Sequence, residues 1–241
     1  EGDEVIIPVP TYTNFKIWPL IRGAKIIEVP YNIQSKCDIS SIVKYLNEKT
    51  KLVYIINPYI CSFQENQLRE LAQSAPNTII LIDEAYYEFY GKSVIDLLNE
   101  CKNIIITRSF SKALMLAGLR LGYILSNEKI ISDISRIHNF KSINVLAQVA
   151  GIEVLKDKGY VKKYVNEVRK SVSLFAKELP KINFDVLPTN SGFLLFKHKK
   201  LSHRVVFEKL EKEKIFVRDL SSVTNLEGYL RMNVGTLKQA R

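Results

Sequence analysis

The chain has 241 residues, of which 46% are hydrophobic and 25% charged, a composition that excludes disordered, collagen-like and disulfide-rich miniprotein classes. Its length allows one large domain or two modest ones. The net charge of +10 would suit a nucleic-acid binder, but the lysines are spread along the chain instead of forming a basic block. We therefore expect no nucleic-acid partner, and a preference for small anionic ligands such as phosphates.

The cysteines and the amino terminus indicate the compartment. Cys37, Cys61 and Cys101 are widely separated and form no C-x-x-C pair, so we expect neither a disulfide framework nor a zinc site. The first residues lack the basic and apolar regions of a signal peptide, and no run approaches the roughly 18 apolar residues of a membrane helix. These features predict a cytoplasmic protein without a membrane segment.

The first part of the chain alternates apolar strand patterns with amphipathic helical patterns, which is typical of a mostly parallel sheet with crossover helices. The predicted strands are residues 5–7, 25–29, 52–56, 79–83, 104–107 and 121–125. The predicted helices between them are residues 39–46 and 64–74. The sequence therefore predicts an α/β domain over residues 1–145.

The second part is dominated by helical patterns, followed by short strands. The predicted helices are residues 145–156, 160–179 and 203–213, and the predicted strands are 184–187, 192–197, 215–219 and 229–233. We expect a long linking helix and a smaller α+β domain over residues 146–241. Because strand and helix patterns stop abruptly at both ends, we also expect the fold to be truncated on both sides.

A candidate phosphate and nucleophile site follows the strand at 104–107. Ser109-Phe110-Ser111-Lys112 comes directly after it, and Arg120 lies eight residues beyond the lysine. Open α/β sheets bind ligands at the carboxyl ends of their strands. Two hydroxyls and a guanidinium can hold a phosphate, and a lysine with a lowered pKa can attack a carbonyl carbon. Taken alone, the segment is more typical of a solvated surface loop with an ordinary lysine.

A second candidate is the acid that ends the apolar strand at 79–83. A carboxylate at the position of Asp83 must be paired or hydrogen-bonded, and a cationic ring nitrogen would serve. The alternative is that Asp83 caps the following turn. Tyr86 could donate its hydroxyl to a ligand oxygen, or it could be a packing residue.

Five motifs occur in the order and spacing of a known family. They are Asn57-Pro58, Asp83-Glu84-Ala85-Tyr86, Ser109-Phe110-Ser111-Lys112, Ala117-Gly118-Leu119-Arg120-Leu121-Gly122-Tyr123 and Tyr229-Leu230-Arg231-Met232-Asn233-Val234-Gly235-Thr236. Together they resemble the fold-type I pyridoxal-phosphate enzymes of aminotransferase class I/II, specifically the histidinol-phosphate aminotransferase subfamily. The resemblance implies a three-layer large domain with a mostly parallel sheet, a smaller α+β carboxyl-terminal domain, pyridoxal 5'-phosphate as cofactor and a homodimer.

The resemblance also implies a role for each matching residue. Lys112 would form the Schiff base with the cofactor and move the substrate proton, and Asp83 would keep the pyridine nitrogen protonated. Tyr86 is the third implied catalytic residue. The implied binding contacts are Tyr86 and Asn57 to the ring oxygen, Tyr12 to the ring face, Ser109, Ser111 and Arg120 to the cofactor phosphate, and Arg231 to the acidic group of the substrate.

Two departures from the family pattern concern the loop after residue 56 and the ends of the chain. The loop retains one Asn-Pro and is about three residues shorter than in the family, and the family's amino-terminal glycine-rich turn and the end of its small domain have no counterpart.

His138, His198 and His203 show no metal-ligand spacing, and no G-x-G-x-x-G or Walker A loop is present. We therefore expect no metal, and neither a nicotinamide nor an ATP enzyme.

Three functions are compatible with these residues. The first is transfer of an amino group between glutamate and a phosphorylated or acidic small molecule, foremost histidinol phosphate and imidazole-acetol phosphate. The second is a decarboxylase similar to threonine-phosphate decarboxylases, which share the lysine, aspartate and arginine set. The third is a catalytically inactive relative that only binds, against which the retention of Lys112, Asp83, Arg120 and Arg231 argues.

Overall fold

The computed structural model describes residues 2–33 and 37–240. The chain forms two compact units, Glu1–Asp157 and Lys158–Arg241. The boundary predicted at residue 145 lies before this division, because the helix Val145–Lys156 belongs to the first unit. The long helix that begins the second unit has the extent that its lysine-rich pattern predicts, to within two residues at each end.

A six-stranded sheet forms the centre of the first unit, in the order β2-β1-β3-β4-β5-β6. Its strands are β1 (Glu4–Val9), β2 (Lys25–Pro30), β3 (Thr50–Ile56), β4 (Ile79–Asp83), β5 (Ile104–Ser109) and β6 (Gly122–Leu125). Strands β1 to β5 are mutually parallel and β6 is antiparallel to β5. Isoleucine and valine predominate in these strands because their β-branched side chains favour extended backbone. The predicted mostly parallel α/β sheet is confirmed.

Seven helices connect or flank these strands within the described part of the first unit. They are α1 (Ile17–Ile21), α2 (Ser40–Val43), α3 (Glu65–Ser74), α4 (Tyr87–Tyr90), α5 (Leu97–Glu100), α6 (Glu128–Ser135) and α7 (Val145–Lys156). Short 3-10 segments occur at Thr13–Lys16, Ala117–Leu119 and Phe140–Ser142. The sequence patterns predict α3 and α7, and the helix predicted over 39–46 is shortened to α2. They do not predict the other four helices, whose four to eight residues show little helical periodicity. Every helix in the described chain is too short or too polar to cross a membrane.

The two faces of the sheet have different environments. Alternation along a strand directs Val53, Ile55, Ile80 and Ile82 to one face, where they join the apolar core that α2, α3 and α5 complete. Tyr54, Asp83 and Thr107 belong to the opposite face, and the strand register places Asp83 beside Thr107. The polar side chains at the carboxyl ends of β4 and β5 therefore share one face, away from the apolar core.

The second unit contains a four-stranded antiparallel sheet in the order β7-β8-β10-β9. Its elements are α8 (Lys158–Glu178), a 3-10 segment at Leu179–Ile182, β7 (Phe184–Pro188), β8 (Phe193–His198), α9 (His203–Lys212), β9 (Arg218–Asp219), β10 (Leu230–Asn233) and α10 (Leu237–Ala240). Phe193, Leu194, Leu195 and Phe196 of β8 are buried. The strand predicted at 215–219 is reduced to β9, because only Arg218 and Asp219 pair with β10 at this edge of the sheet.

A disulfide joins Cys37 and Cys61, whose Cα atoms are 6.0 Å apart, so the expectation that the cysteines form no disulfide is wrong. Cys61 lies in the loop after β3, and Cys37 lies just before α2. The Gln67 side chain of α3 donates to the Cys37 carbonyl oxygen at 3.0 Å. The two cysteines are 24 residues apart in the sequence, and no local sequence spacing indicates that they meet in the fold. Cys101 is free and buried.

Candidate active site

Asp83 ends β4 with its carboxylate enclosed by hydrogen-bond donors. The Tyr54 hydroxyl donates to Oδ2 at 2.8 Å and the Ala85 amide donates to Oδ1 at 3.0 Å. Burial raises the pKa of the Asp83 carboxyl above its usual range, although these two bonds, one from Thr107 and the charge of Lys112 oppose the rise. Because burial outweighs those partners, a further cationic donor beside the carboxylate would be favourable. Asp83 as a whole residue is half-buried.

Lys112 and Tyr86 lie beside this carboxylate. Lys112 occupies a tight turn after β5, in which the Met115 amide donates to the Lys112 carbonyl oxygen at 3.0 Å. Its Nζ lies 5.1 Å from the centroid of the Tyr86 ring, and its charge acts on Asp83. The lysine is exposed and Tyr86 half-buried. The structure thus brings an accessible amine, a phenol and a desolvated carboxylate together at the ends of β4 and β5.

The end of β5 and the turn that follows it carry the three residues predicted to bind a phosphate. Ser109 pairs with Gly122 across the hairpin, and its Oγ accepts from the Ser111 amide at 3.1 Å. Arg120 stands two residues before Gly122 in a left-handed conformation with φ 55°. A Cβ at Gly122 would lie 2.9 Å from the Arg108 carbonyl oxygen, so this close approach requires glycine. The hairpin therefore holds Ser109, Ser111 and Arg120 at one edge of the sheet.

Aromatic side chains surround the same strand ends. Tyr12 follows β1 and is half-exposed, and its hydroxyl accepts from the Asn14 side chain at 3.2 Å. Tyr12 and Tyr59 both contribute electrostatically to the raised pKa of Tyr54, which places them near the Asp83 cluster. The Tyr59 ring lies 6.5 Å from that of Tyr86. The predicted face-stacking residue Tyr12 is thus at the site, together with Tyr59, which we did not predict.

Asn57 begins the loop after β3 and closes it through bonds to Phe63. Its Oδ1 accepts from the Phe63 amide at 2.9 Å, and its Nδ2 donates to the Phe63 carbonyl oxygen at 3.3 Å. The backbone N–H of Asn57 also donates to the Asp83 carbonyl oxygen at 2.9 Å. The side chain is buried, and its two bonds to Phe63 are directed into the loop. Its predicted contact with a cofactor ring stays a prediction, with the second Nδ2 hydrogen as the donor.

Glu84 and Arg108 form a buried ion pair directly beneath the site. Arg108 Nη2 lies 2.8 Å from Glu84 Oε2, and the two side chains are 11% and 1% exposed. Glu84 also accepts from the Ser93 hydroxyl and the Val94 amide. The Arg108 guanidinium lies 3.9 Å from the centroid of the Tyr87 ring. Because Glu84 follows Asp83 and Arg108 precedes Ser109 in the chain, the pair ties together the ends of β4 and β5 that carry the site.

Replacing Glu84 by alanine is expected to lower the free energy of unfolding by about 3–5 kcal/mol, because Arg108 would remain charged in a buried position. The matched control is Glu65→Ala, which breaks the pair between Glu65 and Arg69 at the surface and should cost no more than about 1 kcal/mol. Urea unfolding of both variants measures the difference. Equal losses would show that the Glu84 pair contributes no more than a surface pair.

Arg231 is the predicted acid-binding residue in the second unit. It lies in the middle of β10, where it pairs with Leu195 and Arg218, and its guanidinium lies 5.2 Å from the centroid of the Phe193 ring. Its Nε is buried and has no hydrogen-bond partner within the part of the chain that the structure describes. An orphaned buried donor is costly. A carboxylate or phosphate on the guanidinium would remove that cost.

Comparison with known proteins identifies related sequences and structures over the whole chain. The family described as aminotransferase class I and II matches residues 1–241. The histidinol-phosphate aminotransferase of Thermoanaerobacter pseudethanolicus is 35% identical over 98% of this chain and 68% of the relative. The dihydroxyacetone phosphate transaminase of Campylobacter jejuni is 36% identical over 98% of this chain and 66% of the relative.

Two solved structures share the fold. The histidinol-phosphate aminotransferase of Clostridium acetobutylicum superposes with a TM-score of 0.91 at 25% identity, covering 99% of this chain and 75% of that one. That of Sinorhizobium meliloti, solved in complex with pyridoxal-5'-phosphate, superposes with a TM-score of 0.89 at 24% identity, covering 99% and 68%. These matches thus cover both the first unit, which contains Asp83 and Lys112, and the second unit, which contains Arg231.

Proposed function

Because the chain belongs to the family of class I and II aminotransferases, we propose that it transfers an amino group between glutamate and a phosphorylated ketone, with pyridoxal 5'-phosphate as cofactor. The substrate pair that we propose is histidinol phosphate and imidazole-acetol phosphate. The observation that carries the proposal is the desolvated Asp83 carboxylate beside the Lys112 amine. The names of the two relatives share one chemistry, a phosphate on a small amine or ketone, which agrees with this choice.

The residues of the first unit fit the cofactor. Asp83 is desolvated beyond what its hydrogen-bond partners offset, so a protonated ring nitrogen is the partner that it lacks. The hydroxyls of Ser109 and Ser111 and the Arg120 guanidinium would hold the cofactor phosphate. Tyr86 and Asn57 would donate to the ring oxygen, and Tyr12 would cover a ring face. When bound, pyridoxal phosphate supplies a carbonyl carbon for amines and a ring that accepts electrons from a breaking bond at the substrate Cα.

The side chains then divide the work of the reaction. Lys112 would be the nucleophilic amine for the cofactor carbonyl, and its free Nζ would accept the proton from the substrate Cα. The negative charge of the Asp83 carboxylate would hold a proton on the ring nitrogen. Arg231 binds the acidic group of the substrate through two parallel hydrogen bonds, which suits carboxylate and phosphate alike. We also propose, from the family, a cytoplasmic homodimer.

An absorbance titration tests the proposed function. The protein is mixed with pyridoxal phosphate, freed of excess by gel filtration, and titrated with glutamate and then with imidazole-acetol phosphate. The proposal expects a bound-cofactor band that glutamate converts to the amine form and the ketone restores. A band that glutamate leaves unchanged while threonine phosphate releases carbon dioxide would assign the decarboxylase instead. The absence of any band would contradict both activities.

Replacing Arg231 by alanine is expected to raise KM for acidic substrates and to lower kcat/KM about 100-fold, since a hydrogen bond to a charged group contributes about 1.5–3 kcal/mol. Arg231→Lys should recover only part of the loss, because a lysine cannot form the bidentate pair. The control is Arg218→Ala, which removes an exposed arginine from the neighbouring strand position. Steady-state kinetics with glutamate measure all three variants, and an unchanged KM in Arg231→Ala would overturn the assigned role.

A further inference from the structure

Tyr54 is a buried tyrosine that the sequence motifs leave without a role. It lies in the interior of β3 among aliphatic residues and is 2% exposed. Its hydroxyl reaches Asp83 Oδ2 at 2.8 Å. Its ring stacks on that of Phe15, with the centroids 3.6 Å apart and the planes 7° from parallel. The stack and the strand together restrict the ring, so the hydroxyl is held at the carboxylate.

The Tyr54 hydroxyl is the donor in this bond. Burial is the largest cause of a pKa far above the ordinary tyrosine value, and the negative charge of Asp83 raises that pKa further. The phenol therefore keeps its proton throughout the range in which proteins are stable. A hydrogen bond from a neutral hydroxyl to a carboxylate favours the ionised form of the acid.

We propose that Tyr54 is a positioning residue for Asp83, whose hydroxyl fixes the carboxylate in one orientation and favours its ionised form. Tyr54 holds Oδ2 and the Ala85 amide holds Oδ1, so rotation of the carboxylate would break two bonds. What Asp83 then contacts rests on the proposed function, whereas the bond itself is a property of the cofactor-free chain. The competing interpretation is that Asp83 merely satisfies a tyrosine hydroxyl that packing has buried.

The two interpretations differ in pH dependence. The groups that act on Asp83 are the Lys112 ammonium from the turn after β5, the Thr107 hydroxyl from β5, the Ala85 amide after β4 and the Tyr54 hydroxyl from β3. Tyr12 and Tyr59 act on Tyr54 from the loops after β1 and β3. The hydrogen bond from Tyr54 lowers the Asp83 pKa. Removing the Tyr54 hydroxyl should therefore raise the Asp83 pKa further, by about one unit for a bond of this kind.

The sign of the effect on stability follows from linkage. A carboxyl with a pKa higher in the folded than in the unfolded chain binds more protons when folded, so stability falls as pH rises through the folded pKa. Tyr54→Phe raises the Asp83 pKa in the folded chain further, so the stability of the variant continues to fall up to a higher pH. The stability lost in Tyr54→Phe should therefore be larger at pH 8 than at pH 5. A hydroxyl that bonds the protonated and the ionised carboxyl equally well would give a loss that does not depend on pH.

The experiment compares Tyr54→Phe with Tyr31→Phe in the full chain. Tyr31 donates to the Pro10 carbonyl oxygen at 2.8 Å, a bond of equal length to a neutral acceptor. Unfolding of the cofactor-free proteins is measured at pH 5 and pH 8, and the dissociation constant of pyridoxal phosphate is measured by absorbance across the same range. In Tyr54→Phe we expect a stability loss that grows with pH, cofactor binding about tenfold weaker, and a binding profile shifted about one unit toward alkaline pH.

The outcomes separate this inference from the proposed function. If Tyr54→Phe and Tyr31→Phe lose equal stability at both pH values and bind the cofactor with equal affinity, the positioning role is overturned while the proposed function stands. If Tyr54→Phe shows the pH-dependent loss and the unmodified chain binds no cofactor, the proposed function fails and the coupling to Asp83 stands. Combining Tyr54→Phe with Asp83→Asn should abolish the pH dependence, and its persistence would also overturn the role.

Discussion

Replacing Lys112 by alanine is expected to abolish amino transfer, lowering kcat at least about 10⁴-fold, and to remove the absorbance of the covalently held cofactor. The reason is that one amine serves as nucleophile and as proton acceptor, at a position where its charge already acts on Asp83. Losing it removes both steps and leaves the carboxylate without that cation. The measurement is a spectrum of the variant after pyridoxal phosphate is added and excess is removed, followed by single-turnover kinetics.

Two further variants make this result specific. Lys92→Ala removes a lysine that lies 5.9 Å from the centroid of the Tyr90 ring, a contact similar to that between Lys112 and Tyr86, and it should leave spectrum and rate unchanged. Lys112→Arg keeps a positive charge but supplies no nucleophilic amine, so it should remain inactive. Borohydride reduction followed by peptide mapping identifies the attached lysine in the unmodified protein. Attachment at another lysine would remove Lys112 from its role.

The fold could be predicted where its helices and strands show a strong periodicity of hydrophobic residues. The apolar runs that become β1 to β5 are short, β-branched and separated by helical patterns, and this combination is specific to parallel sheets. Helices α1, α4 and α5 have only four or five residues, and tertiary contacts decide such short segments. The division after Asp157 was missed for a related reason, since α7 and α8 follow each other as two helical patterns with a single residue between them.

The site was predictable where its residues lie within a short motif. Lys112 follows Ser109 and Ser111 closely, and Asp83 and Tyr86 stand three residues apart, so their proximity follows from the sequence itself. No sequence motif links Tyr54 or Phe15 to Asp83. Tyr54 reaches Asp83 by a side-chain hydrogen bond between the paired strands β3 and β4, and Phe15 reaches Tyr54 by ring stacking. The one available signal was a phenol within the aliphatic strand Thr50–Ile56, whose hydroxyl needs a partner when buried.

Asp83→Asn is the second large prediction, and it should change activity and stability in opposite directions. The asparagine keeps the size of the side chain and can still accept from Tyr54, but it carries no charge to hold a proton on a ring nitrogen. We expect kcat to fall about 10³-fold, consistent with the loss of a central electrostatic contact at the reacting group. The cofactor-free variant should be more stable than the unmodified chain at pH 8 by about 1 kcal/mol, since a desolvated charge is removed.

The pH dependence gives this prediction its sharpest form. Burial raises the pKa of Asp83 in the folded chain above its usual range, so the folded state binds the proton more tightly than the unfolded state. The stability of the unmodified protein therefore falls as pH rises from about 4, the ordinary pKa of aspartate, through the raised value. The difference between Asp83→Asn and the unmodified chain should be small near pH 4 and grow toward pH 8.

Denaturant unfolding of the cofactor-free proteins at several pH values measures that difference, with Asp96→Asn as the control for an aspartate with an exposed side chain. A loss of stability in Asp83→Asn at every pH would mean that the hydrogen bonds from Tyr54 and Ala85 outweigh burial and that the carboxylate is structural. A gain in stability with unchanged kcat would mean that the charge is costly to the fold and serves another purpose. If Asp83→Asn both gains stability and loses kcat, the Asp83 charge destabilises the empty chain and is needed for catalysis. Such a buried charge is retained for the ligand that neutralises it.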